Sequence, residues 1–170
     1  MANLATTDHA AVGNTARGRS PYLVQNTIDI AAAIVLKGSD FAAGDTMEVL
    51  NVPAGSVVLS AGIEILTQVD GTCTLDMGYT GADPAAIDLY VDGFDVVGGA
   101  VGAYSTTPAT EAAQVQVIGS GAGTDIISVK FATETDVTLG KLRFWAILMD
   151  VSDLGVGDLQ AAEVARDALA

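Results

Sequence analysis

From Ile63 to Tyr79 apolar and polar residues change places along the chain. Ile63, Ile65 and Val69 stand against Glu64, Gln68 and Asp70, then Cys73, Leu75, Met77 and Tyr79 against Thr74, Asp76, Gly78 and Thr80. A two-residue period belongs to a strand with one buried face, because successive side chains of an extended chain point to opposite sides. Asp70-Gly71 between the two runs is a hairpin signal, since Gly accepts the positive φ that a tight two-residue turn needs. This stretch therefore favours a sheet.

The rest of the chain supports the same class. Thr27 to Lys37 alternates (Ile28, Ile30, Ala32, Ile34 and Leu36 against Asp29, Ala31, Ala33, Val35 and Lys37), which predicts a strand, although its alanines also permit a short helix. Asp45 to Val52 is apolar on both faces, and Pro53-Ala54-Gly55 suits a turn into Val57-Val58-Leu59. Val115 and Val117, then Ile127, Val129 and Phe131, then Leu142 to Met149 read as later strands, the last apolar on both sides and so central or at an interface. Residues 81–111 read as a long glycine-rich excursion, with a short helix possible at Asp83-Pro84-Ala85-Ala86.

Seven or eight strands without alternating helices predict an all-β fold, an antiparallel β-sandwich of jelly-roll type. Residues 1–26 lack a period and read as an extended N-terminal arm, residues 27–153 as the sandwich domain, and residues 154–170 as a C-terminal tail with a helical run from Asp158.

Charge and composition bound the function. The formal net charge is −14, and no Lys or Arg occurs between Gly38 and Val129, where Asp and Glu together occur 12 times. Such a body should repel nucleic acid and anionic membrane. The longest apolar runs, Ile30–Leu36 and Phe144–Met149, fall far short of the ~20 residues of a membrane-spanning helix. The first residues carry no basic patch ahead of an apolar run, so synthesis is expected to end in the cytoplasm. Cys73 is the only cysteine, which excludes an intrachain disulfide and a cysteine metal cluster.

Catalytic chemistry finds little support. The only histidine, His9, lies in the arm, far in sequence from Cys73 and from most serines. The run from Val117 to Thr124 imitates the opening of a dinucleotide fingerprint, but Thr124 replaces its third glycine and a strand follows. Asp88, Asp92 and Asp95 offer hard oxygen ligands at a spacing that fits no EF-hand loop, so a solvated acidic loop is the plainer reading. Cys73 falls on the apolar face of its strand, where a thiol is inert. The expectation is no catalytic residue, no metal and no cofactor. Two groups remain as contact candidates: Arg17 and Arg19 beside Pro21 and Tyr22, suited to an acidic partner, and Arg143 with Trp145, which share one face of their strand.

Thr27 to Leu66 and Ile126 to Asp153 are similar to stretches of small structural proteins from phages of cyanobacteria and other marine bacteria. Ala43-Gly44-Asp45 before a strand, the Val52-Pro53-Ala54-Gly55 turn and the Gly140-Lys141-Leu142-Arg143-Phe144 entry to the last long strand carry the likeness. The chain thus resembles the capsid decoration, or cement, proteins of tailed bacteriophages. That resemblance implies a jelly roll, usually a homotrimer, on the outer surface of the virion, clamping neighbouring subunits of the major capsid protein and often using a terminal arm. No individual functional residue carries over. The competing expectations are another virion part (a head fibre base, a vertex or a tail protein) or a carbohydrate-binding sandwich, for which one Trp and four Tyr are a thin supply of stacking surfaces.

Overall fold

A computed structural model describes residues 3–5, 21–53, 56–79, 86–105, 116–118 and 126–150. Among them are ten strands and one helix: β1 (Asn3–Ala5), β2 (Tyr22–Asp29), α1 (Ile30–Lys37), β3 (Thr46–Asn51), β4 (Ser56–Thr67), β5 (Thr72–Tyr79), β6 (Ala86–Asp95), β7 (Tyr104–Ser105), β8 (Gln116–Ile118), β9 (Ile126–Thr135) and β10 (Lys141–Asp150). One sheet runs β1-β3-β9-β5-β6; the other runs β2-β10-β4-β7, with β8 also on β4. Every pairing is antiparallel except β1 with β3. From β2 onward successive strands change sheets except at β5–β6 and β7–β8, and β2, the first long strand, pairs with β10, the last of the described strands. This is the double Greek key of a jelly roll, and the all-β sandwich expected from the alternation is what the chain forms.

The core lies between the sheets. Met47, Leu75, Met77, Ile127, Val129 and Phe131 come from one side, and Ile63, Ile65, Leu142, Phe144 and Leu148 from the other, all 1% exposed or less. β3 buries Met47, Val49 and Leu50 together because a register shift between Glu48 and Leu50 turns neighbouring residues inward. That bulge accounts for the apolar character of both its faces.

Four sequence expectations are corrected. Thr27–Lys37 is not one strand: β2 stops at Asp29, whose carboxylate accepts the Ala32 N–H at 3.3 Å and so caps α1. Gly38, at φ +79°, closes the helix with its N–H on the Ile34 carbonyl. The arm does not extend to residue 26, because Tyr22 to Asn26 pair with β10 and Asn26 Nδ2 donates across the sandwich to the Val49 carbonyl at 3.1 Å. Asp70-Gly71 makes no hairpin, since β4 and β5 lie in different sheets and the turn carries the chain from one to the other. The excursion at 81–111 contains β6 and β7, with β6 paired along β5. Residues 6–20 and the tail at 154–170 lie outside the described residues.

The connections β2–β3, β4–β5, β6–β7 and β9–β10 meet at one end of the sandwich and are bonded to one another. Ile30 N–H donates to Gly140 O, Gln68 Nε2 to Val97 O, and Gly44 N–H to Phe131 O. Asp70 receives the N–H groups of Thr138 at 2.8 Å and Leu139 at 2.9 Å and the Thr138 hydroxyl at 2.6 Å. Gly71, at φ +71°, has no room for a Cβ, which would collide with the carbonyls of Thr135 and Asp136. The Thr138 hydroxyl, with the two backbone N–H groups, holds the Asp70 carboxyl below its ordinary pKa. A lowered carboxyl contributes stability that is complete above its unfolded value and is lost as the pH falls through the folded one. Asp70→Asn is therefore expected to lower the urea midpoint at pH 7 and to leave it nearly unchanged at about pH 2. An equal loss at both would refute this.

Candidate interaction surface

β10 buries Leu142, Phe144, Ala146 and Leu148 and turns Lys141, Arg143, Trp145, Ile147 and Met149 outward, each half-buried. Register sets the neighbours of this outward row. Arg143 lies between Thr27 and Glu64, Trp145 between Gln25 and Gly62, and Ile147 between Leu23 and Ser60. Gly62 offers no side chain beside the indole, and Leu23 is exposed. Tyr104, also exposed, pairs with Glu64 and extends the row onto β7. Arg143 Nη1 donates to Glu64 Oε2 at 3.1 Å across the strands. A pair this exposed contributes only about 0–1 kcal/mol, but it orients the guanidinium.

The outward face of the other sheet is polar. It carries Thr46, Thr74, Asp76, Lys130 and Thr133, with Asp76 Oδ2 3.5 Å from Lys130 Nζ and Oδ1 receiving the Gly93 N–H at 3.0 Å. The sandwich therefore has one outward sheet that sets aromatic and aliphatic side chains among charged and polar ones, and one that is hydrophilic. Aromatic and aliphatic side chains set among polar ones on an outward sheet face are a form that subunit contacts take.

Of the residues singled out in the sequence, Arg143 and Trp145 come together on this outward face. Pro21 is exposed, while Tyr22 opens β2, faces Leu148 in register and packs on the core. Arg17, Arg19 and His9 lie outside the described residues. Asp88 and Asp92 are exposed, and Asp95 Oδ1 receives the N–H groups of Val97 at 2.9 Å and Gly98 at 2.8 Å, which assigns it to a turn. Among the described residues no three His, Cys, Asp or Glu side chains are grouped to hold a metal. Burial, with Glu134 and Asp95 adding repulsion, pushes the Cys73 thiol up to about 12, so it carries no thiolate at neutral pH. Leu23, Ile147 and Tyr104 were missed in the sequence, where only the Arg143–Trp145 alternation signalled an outward row.

A sandwich whose eight main strands follow this order belongs to the jelly-roll class. Two solved structures share it with this chain. One is a chain of the cyanophage Pam1 capsid asymmetric unit, with a TM-score of 0.55 and 17% identity over 84% of this chain and 96% of that one. The other is a chain of the capsid of Ralstonia phage GP4, with a TM-score of 0.55 and 16% identity over 89% of this chain and 100% of that one. At such identities the likeness is one of fold. No protein-family model and no curated protein matches the chain.

Proposed function

We propose that this chain is a structural protein of a phage virion, placed on the outer capsid lattice, where trimers of it clamp neighbouring major capsid subunits. One observation carries the reading: the capsid chains that share the fold are covered over 96% and 100% of their own length, so each is a small protein built as one sandwich like this one. A single small sandwich fits an accessory of a shell. The outward face of β2, β10 and β4, with Trp145 beside the Arg143–Glu64 pair, supplies one side of the heterologous contact that a trimer repeats three times.

The test is copy number in purified particles together with oligomeric state. Decoration of a lattice requires on the order of hundreds of copies in symmetric arrangement; a dozen or fewer would move the protein to a vertex or tail and overturn the reading. Light scattering should show a trimer that Trp145→Ser dissociates without unfolding the sandwich. A monomeric parent chain would remove the trimer from the proposal.

A further inference from the structure

Six large hydrophobic residues are exposed among those described, and four of them, Val35, Leu36, Val101 and Leu139, lie in the connections at the α1 end. Their exposures are 79%, 73%, 62% and 50%. A fifth, Tyr104, follows the β6–β7 connection directly. Exposed hydrophobic residues scattered singly need no explanation, but a concentration at one end does. It also lies at the opposite end from Tyr22 and Asp150, where β2 begins and β10 stops.

The end is stiff as well as apolar. Hydrogen bonds join the β9–β10 connection to α1 and to the β4–β5 turn, and that turn to the β6–β7 connection. Little conformational freedom is left for a partner to remove. Its net charge is negative. Asp40, Asp95 and Asp136 are exposed and Asp70 is half-buried, while Lys37 is paired with Asp45 at 2.9 Å and Lys141 lies 3.5 Å from Asp29.

We infer that the α1 end is a docking face for another protein whose surface sets an apolar depression among Lys and Arg side chains, the depression taking Val35 and Leu36 and the cations meeting the aspartates. A second copy is a poor occupant of this end, since it would set the same acidic rim against this one. For its choice of partner the inference rests on the capsid reading above: the basic, apolar surface belongs to the shell, and the α1 end points toward it.

The test titrates the full chain and its Val35→Ser/Leu36→Ser variant onto capsids assembled without this protein, with bound protein read by sedimentation. Both side chains are exposed, so thermal midpoints should agree and confirm that the variant is folded. The double variant is expected to bind about 100-fold more weakly, the loss of two anchors at the centre of a contact, and raising the salt should weaken the parent chain. Ala132→Ser, on the outward face of the other sheet, should bind as the parent does. A double variant that binds like the parent overturns the docking face and leaves decoration standing. A double variant that loses binding only because its oligomer dissociates in light scattering assigns the face to a second copy and overturns the inference. A parent chain that leaves the capsids bare overturns the capsid reading and the partner with it.

Discussion

Asp45→Ala is expected to destabilise the protein by about 3–5 kcal/mol, because it leaves a buried ammonium without its counter-charge. Lys37 is the last residue of α1, and its side chain is only 7% exposed. Its Nζ lies 2.9 Å from Asp45 Oδ2, donates to the Ser39 hydroxyl at 3.0 Å and to the Asp40 carbonyl, and sits 5.2 Å from the centre of the Phe41 ring. Asp45 Oδ2 also receives the Ala42 N–H at 3.0 Å. The pair thus fixes the whole connection from α1 to β3. Lys37→Met should be milder, since the carboxylate that remains keeps a backbone donor. The double variant Lys37→Met/Asp45→Ala should recover about 1–2 kcal/mol of the summed losses, because the two sites share one network. Urea midpoints with unchanged slopes would measure all three, and a loss below about 1 kcal/mol for Asp45→Ala would show that the ammonium finds water instead.

Phe131→Ala is expected to cost about 3–5 kcal/mol, the usual range for emptying a core aromatic site. Phe131 is fully buried in β9, and its ring stacks on Phe41 with centroids 4.3 Å apart and planes 15° from parallel. Without it Phe41 loses its ring partner, and the segment from Gly38 to Asp45 should become more sensitive to protease. Phe131→Leu fills much of the volume and should lose less than half as much. Equal losses for the two would mean that ring stacking, not volume, dominates the site.

How much of this was legible in the sequence depends on whether a feature is local. β5, β9 and β10 were legible because their two-residue period is unbroken over most of their length. β6 was not: its register against β5 shifts between Leu75 and Met77 and again between Met77 and Tyr79, and Gly93 takes a positive φ, so its inward residues do not alternate regularly. α1 was ambiguous because alternation and helical spacing both accommodate Ile-Ala-Ala-Ala-Ile-Val-Leu-Lys; the caps at Asp29 and Gly38 decide for helix. Asp70-Gly71 marked a real turn, but its sequence carries no information about which strand lies alongside, and β4 pairs with β10 instead of β5. The candidate surface divides the same way. Arg143 and Trp145 share a face by parity alone, whereas Leu23 and Tyr104 join them through pairings with strands remote in the chain.

The position of β10 governs when the protein can fold. It lies between β2 and β4, at the centre of its sheet, and among the described residues it is the last strand in chain order. Until residues 141–150 leave the ribosome, β2 has no strand to pair with and Ile63, Ile65 and Ile28 have no sheet to complete. Folding of the sandwich must therefore wait for synthesis of β10, and pairings between such remote strands form slowly. During that interval the unpaired edge of β4 and its apolar inner face are open to other nascent chains. A truncation before Lys141 should accordingly aggregate, and a newly made chain is most exposed to misassembly just before its last strand appears.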